Sequence, residues 1–149
     1  MLLDVVRAAS VSPDELERLE SHARAGIADE RGGRQHLAEA DSVGWTLLGR
    51  VAAADTGVFV ARIDGVPVGF ACVGTRPTGS ASLEALFIEP EAREVGAGEM
   101  LAHAAIKWAK GHGATGIDSV ALPGDRETKN FFETFGLVAR AIVVHRSIV

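Results

Sequence analysis

The chain has 149 residues, the length of one ordinary domain and enough to bury roughly two thirds of the surface its unfolded form exposes, so residues 1–149 are expected to form a single domain. Its net charge of −5 is spread evenly, 11 acids against 8 bases through residue 80 and 9 against 7 beyond it, which advertises no basic face for nucleic acid. Cys72 is the single cysteine and excludes an internal disulfide, while His22, His36, His103, His112 and His145 fall into neither HxxxH nor HxH spacing, so no metal site is expected.

In chain order, residues 2–8 read as a short strand whose Asp4 and Arg7 interrupt the apolar run and argue against a signal peptide. "SPDELERLESHARAGI" then opens a helix, with Ser12 as cap, Pro13 at the first helical position and acids in the first turn. A break at Gly32-Gly33 precedes a second, shorter helical stretch, and an irregular passage is expected to reach about residue 56. "GVFVARIDGVPVGFACVGT" reads as two strands, about 57–63 and 66–75, joined by an Asp-Gly hairpin turn. "SASLEALFIEP" alternates in period two, which places Ser82, Glu84, Leu86 and Ile88 on one face and Leu83, Ala85 and Phe87 on the other.

Residues 97–110 carry Met100, Leu101, Ala104, Ala105 and Trp108 at helical spacing, and "GHG" at 111–113 stops the run. "ATGIDSVAL" reads as a strand, "DRETKNFFETFG" as a short helix and "ARAIVVHRSIV" as a closing strand. A meander of strands followed by strand-helix-strand indicates an α+β or mixed α/β domain with helices on both faces of a sheet. No stretch approaches the roughly 20 apolar residues that span a bilayer. The expectation is therefore no membrane partner and a cytoplasmic location.

The turn "EPEAREVGAGEML", residues 89–101, raises the question of a ligand. A P-loop and a GxGxxG dinucleotide fingerprint both fail, because Leu101 stands where each requires glycine. What remains is RxxGxG from Arg93, Gly96 and Gly98, between a strand and a long helix. Unpaired N–H groups at a helix start, at the positive end of its dipole, grip a pyrophosphate when no side chain blocks approach. Glycines at 96 and 98 with Ala97 between them supply that access. A tight turn with no ligand satisfies the bare GxG equally well.

The run "LEALFIEPEAREVGAGEML" resembles the acetyl-CoA-binding motif of the GNAT N-acetyltransferase superfamily, a strand and a proline followed by Q/R-x-x-G-x-G/A opening a helix. "KNFFETFGL" resembles that family's second cofactor-side motif, of the form FYEKxGF, and the element order from residue 57 onward follows the family fold. The resemblance implies a central, mostly antiparallel sheet of about six to seven strands with helices on both faces. It implies acetyl-CoA as cosubstrate, with backbone groups of Val95, Gly96, Ala97, Gly98 and Glu99 on the pyrophosphate and Arg93 beside it. Strand groups of Leu86, Phe87 and Ile88 would pair with the amide-bearing pantetheine arm as an added strand would. Asn130 would meet the cofactor's phosphate or pantetheine side, and Arg126 and Lys129 its 3'-phosphate, although a helix face of mixed charge reads the same way.

Acetyl transfer to an amine needs the neutral nucleophile, and an alkylamine of pKa about 10.4 is only a few parts in ten thousand neutral at pH 7. Glu84 matches an acidic position in many relatives, and apolar neighbours would favour a proton on it, so it is the candidate base. An ordinary glutamate on an alternating strand is the alternative. The family's usual acid, a tyrosine that protonates the departing thiolate, aligns with Phe132, and the chain holds no tyrosine. A thiolate of pKa about 8.5 leaves with modest help. Cys72 reads as a small buried residue and His145 as a strand residue rather than as replacements. Trp108, Phe131 and Phe135 read as packing.

Acids near the first two helices, Asp29, Glu30, Glu39 and Asp41, would suit a cationic acceptor or form a solvated face. Two functions follow: an acetyl-CoA-dependent N-acetyltransferase acting on a primary amine of a small molecule or protein, or a noncatalytic acyl-CoA-binding module. Family members pair through sheet edges or closing strands, so "RAIVVHRSIV" would suit a homodimer as well as a core strand.

Overall fold

The computed structural model describes residues 1–149. Along the chain run β1 (Leu3–Arg7), α1 (Pro13–Ala28), α2 (Gly33–Ser42), α3 (Leu47–Ala52), β2 (Thr56–Ile63), β3 (Val66–Thr75), β4 (Ser80–Ile88), α4 (Ala97–Gly111), β5 (Gly116–Asp118) and α5 (Arg126–Thr134). The five strands lie in sequence order, antiparallel from β1 to β4, with β5 parallel to β4. No helix is long and apolar enough to cross a membrane.

Local signals account for most of these elements. The Ser12 hydroxyl accepts from the Glu15 amide at 3.3 Å with Pro13 in the first turn, and α1 buries Leu16, Leu19 and Ala23 at helical spacing. Asp64 and Gly65 both take positive φ, 50° and 82°, the pair of left-handed positions that a two-residue hairpin requires. Asp4 and Arg62 stand directly opposite each other in the β1–β2 register and form an ion pair at 2.6 Å. The irregular passage expected before residue 56 instead contains α3, whose start is capped by the Thr46 hydroxyl on the Gly49 amide.

Helices cover both faces. One core joins α1 and α3 to Val58, Val60, Phe70 and Cys72; the other sets Leu101, Ala105 and Trp108 of α4, with Phe132 of α5, against Ala61, Ala71, Val73 and Leu83. Alanines let α4 lie close to the sheet, and Gly57 completes the fit: a Cβ there would stand 2.7 Å from Trp108 Cδ1. Met100, expected in this stripe, is instead 37% exposed.

Two sequence expectations are corrected. The β3–β4 register shifts between Cys72 and Val73, which pair with Ala85 and Leu83, so Glu84 is the extra residue of a bulge. The bulge breaks the period-two alternation: Leu83, Leu86 and Ile88 all pack toward α4, while Ala85 and Phe87 face α1 and α3. Glu84 therefore does not share a face with Leu86 and Ile88.

The second correction concerns the closing strand. Residues 138–149 form no strand and are exposed throughout, so the sheet has five strands, not six or seven. Their apolar content marks them as strand-like, but a strand needs a partner's ladder as well as side-chain propensity.

Candidate functional site

The turn after β4 is built by backbone conformation. Pro90–Ala92 makes a short 3-10 turn, Glu94 sits at φ 65°, and Gly96 reverses the chain at φ 91° directly before α4. No side chain caps that helix, so the first amides of α4, from Ala97 to Glu99, point outward without an intrahelical acceptor. Gly98 has a different reason to lack a side chain. A Cβ at 98 would stand 3.2 Å from the Phe131 ring, so its absence lets α5 close over the turn.

The residues predicted for a pyrophosphate, Val95, Gly96, Ala97, Gly98 and Glu99, thus come together at one helix start, with Ala97 and Val95 also held in the core. Arg93 leaves this turn and reaches back: its Nε donates to the Ile88 carbonyl at 3.1 Å, and its guanidinium lies 4.0 Å from Glu127 of α5. Leu86, Phe87 and Ile88 pair on one side with β3. On the other side β5 accompanies β4 only from Ser80 to Ser82. Beyond that, the Ser119 hydroxyl donates to the Leu83 carbonyl and Arg93 takes Ile88, leaving an open strand edge between them.

On α5, Asn130 is exposed beside Phe131, and Lys129 pairs with Glu133 at 3.2 Å one helical turn away. Asp125 caps the helix, accepting from the Thr128 amide and hydroxyl. Phe132 is buried in the α4-side core. His145, expected on a closing strand, lies in the exposed terminal segment.

At the bulge Glu84 meets partners the sequence did not reveal. Arg50 of α3 grips both carboxylate oxygens, Nε to Oε1 at 2.9 Å and Nη2 to Oε2 at 2.8 Å, and the Trp45 indole N–H donates to Oε1 at 2.8 Å. Cys72 Sγ lies 3.5 Å from the same Oε1. Gly74 makes room for the pair, since a Cβ there would come within 2.5 Å of Glu84 Oε2 and 3.2 Å of Arg50 Nη2. Trp45 and Arg50 sit in or beside a six-residue helix with no periodic signature, so nothing in the sequence pattern pointed to them. Burial, and then the neighbouring Glu84 charge, pushes the Cys72 thiol far above its ordinary value.

Trp45 also lines a cleft of about 370 Å³ between α1 and the α2–α3 connection, with Glu17, Glu20, Ser21, Arg24, Asp41 and Thr46. Within it Arg24 pairs with Asp41 at 3.0 Å, and Glu20 accepts from the Leu47 amide. Asp41 is the one predicted acid that reaches this cleft. Glu39 instead accepts from Gln35 on the exposed side of α2.

Residues 18–137 match the Acetyltransferase (GNAT) family. The chain belongs to the GNAT acetyltransferase family. The matched span runs from α1 through α5 and so includes the bulge, the open edge of β4 and the uncapped start of α4. Among curated proteins, none matches this acetyltransferase chain significantly. Solved GNAT-like structures share its fold at low identity. The PaiA N-acetyltransferase from Thermoplasma acidophilum, in complex with coenzyme A, superposes with a TM-score of 0.70 at 22% identity over 91% of this chain and 89% of that one. The AAC(6')-Iy structure with a bisubstrate analogue, CoA-S-monomethyl-acetylneamine, gives 0.67 at 20% identity over the whole of both chains. A transcriptional regulator from Bacillus halodurans C-125 gives 0.70 at 19% identity over 99% of this chain and 100% of that one. The fold alone is common to all three.

Proposed function

We propose that this GNAT protein is an acetyl-CoA-dependent N-acetyltransferase that moves the acetyl group directly to a primary amine. The observation that carries the reading is the uncapped, glycine-opened start of α4 at the end of a strand whose outer edge is left free. A pyrophosphate fits the amides from Val95 to Glu99, and the pantetheine amides fit the edge of Leu86, Phe87 and Ile88 as an added strand. Arg93 stands beside both and supplies positive charge. Asn130, one residue from the Phe131 that closes over Gly98, is in reach of the cosubstrate's phosphate side.

The acceptor enters through the cleft at Trp45. Arg50 and Trp45 fill Oε1 of Glu84, whereas Oε2 accepts from Arg50 alone, and a carboxylate oxygen has two lone pairs. The remaining one receives an ammonium hydrogen, directly or through a water. The freed amine lone pair then forms the C–N bond at the thioester carbonyl, the C–S bond breaks, and its electrons leave on sulfur. Phe132 has no proton to give, so the sulfur leaves as the thiolate, and the second proton that the nitrogen must lose to become an amide passes through water to solvent or to that thiolate. A mixed ring of acids lines the entrance, which favours a cationic acceptor.

A noncatalytic acyl-CoA-binding role is the second reading, favoured by the buried Phe132 and by the grip of Arg50 on Glu84. Calorimetry and a thiol-release assay across a panel of amines separate the two. The enzyme reading expects saturable acetyl-CoA binding, abolished in Gly96→Glu and Gly98→Glu, and thiol release that falls at least about 100-fold in Glu84→Gln. Binding without release from any amine selects the second reading. Absence of binding by the intact protein overturns both.

A further inference from the structure

The free outer edge of β4 has a definite length. Its Ile88 carbonyl accepts from Arg93 Nε at 3.1 Å and its Leu83 carbonyl from the Ser119 hydroxyl at 2.9 Å. Between these two points, Ile88 to Leu83 stands opposite Gly69 to Val73 of β3, four steps of strand, or about 14 Å. The pantetheine arm of acetyl-CoA has about twelve bonds from its phosphate oxygen to its sulfur, as many as the backbone of four extended residues, and so also spans about 14 Å. An arm whose phosphate end lies at Arg93 and the start of α4 therefore brings its sulfur to Ser119. This residue is half-buried and directly follows Asp118, where β5 parts from β4. Ile117 and Ala121, two positions to either side of it, pack into the core that contains Phe132, so alternation sets Ser119 on the same side of the sheet as Phe132.

We propose that the Ser119 hydroxyl is the hydrogen-bond donor to the departing coenzyme A thiolate, an inference that rests on the acetyl-transfer reading for its cosubstrate. A hydroxyl has one hydrogen to give, and in this structure it goes to Leu83. The pantetheine amide nearest the sulfur, two carbons away from it, carries an N–H that takes over at that carbonyl as an added strand does, and the Ser119 O–H turns to the sulfur beside it. An alkyl hydroxyl is a far weaker acid than a thiol of pKa about 8.5, so serine gives a hydrogen bond and not its proton. The C–S bond breaks, its electrons stay on sulfur, and the O–H holds the thiolate until water protonates it. A hydrogen bond to a charged acceptor is about twice as strong as one to a neutral acceptor. The contact therefore strengthens as charge develops on sulfur, which is the condition for accelerating the step. No other group at this end of the edge competes for the role. Glu84 only accepts and its charge is matched by Arg50, Cys72 is buried, and Asp118 is held by Arg76 and Arg140.

The test is the thiol of bound coenzyme A, titrated by its ultraviolet thiolate absorbance in the complex with the intact protein, together with kcat and KM for thiol release. Cys72 adds no signal, because burial and the Glu84 charge keep it protonated. The bound thiol is expected to ionise at least about tenfold more readily than that of free coenzyme A, an advantage that Ser119→Ala removes and Ser119→Thr keeps. Ser119→Ala is also expected to lower kcat at least about tenfold while KM for acetyl-CoA changes less than about threefold, the pattern of an interaction made only in the transition state. Should Ser119→Ala fail to fold, Ser119→Val, which has the shape of threonine without its hydroxyl, takes its place against Ser119→Thr. A bound thiol that titrates as the free one does overturns the inference, as does a lowered titration that is unchanged without the hydroxyl. A loss confined to KM overturns it too and makes Ser119 only the anchor of Leu83. A lowered, Ser119-dependent titration with no release from any amine places the failure in the acetyl-transfer reading and keeps Ser119 as the donor to sulfur, whereas no binding of coenzyme A overturns both.

Discussion

Glu84 shows how much a single inserted residue changes. In an uninterrupted strand its side chain would have faced α4 among Leu86 and Ile88; in the bulge it faces α3 and meets Arg50 and Trp45. The void that admits this cluster is Gly74. Replacing Gly74 with alanine sets a methyl 2.5 Å from Glu84 Oε2, so the ion pair must move, at a cost of about 1–3 kcal/mol measurable by urea denaturation, with a change in Trp45 fluorescence. Cys72 offers a second check at this scale. Its thiol is fully buried and held protonated by desolvation and by the Glu84 charge, and only the thiolate reacts. The native protein is expected not to react with a disulfide reagent at pH 8, while one thiol titrates after unfolding in guanidinium. The same inertness lets such a reagent report coenzyme A release without interference from the protein.

Among the elements, α4 and its entry turn carry most of the proposed site. Gly96 and Gly98 differ in what they require. Gly96 needs its left-handed φ and has no close neighbour, whereas Gly98 is limited by the Phe131 ring. Gly96→Ala is therefore expected to destabilise the protein by about 1–2 kcal/mol through backbone strain and to weaken acetyl-CoA binding, as measured by thermal unfolding and calorimetry. The entry to this turn is braced from the other face. Glu89, 5% exposed at the end of β4, accepts from Arg18 at 3.0 Å and contacts His22 at 2.8 Å, both on α1. Arg18 also donates to the Pro67 carbonyl. This bridge fixes where β4 ends relative to α1, and so where the turn begins.

Across the whole molecule, the sheet is finished at β1 by an ion-paired edge and unfinished at β5. The Arg140 guanidinium, chiefly by hydrogen bonding, holds the Asp118 carboxyl below its ordinary value, with Arg76 adding a smaller effect in the same direction. A carboxyl with a depressed folded value contributes stability above its unfolded value, about 3.9, and loses that contribution as pH falls through the lower folded value. Acidification below about pH 4 is therefore expected to release residues 138–140 from β5. The side-chain carboxyl NMR titration of Asp118, lying below the unfolded value in the native protein and closer to it in Arg140→Ala, measures the effect.

Elements set by local chemistry were legible in the sequence alone. The Ser12 cap, the Asp64-Gly65 turn, the Leu101, Ala105 and Trp108 stripe of α4 and its stop at 111–113 each depend on residues within a few positions of one another, and each stands where the pattern placed it. The RxxGxG turn and its family resemblance were legible for the same reason, because a helix start is a local object. What only the tertiary structure decided depends on residues far apart in the chain. The bulge at Glu84 is a mismatch between two strands, invisible in either one. Arg50 and Trp45 reach Glu84 across 34 and 39 positions. The last twelve residues had the composition of a strand, but β pairing is a property of two segments, and this chain places no second one beside them.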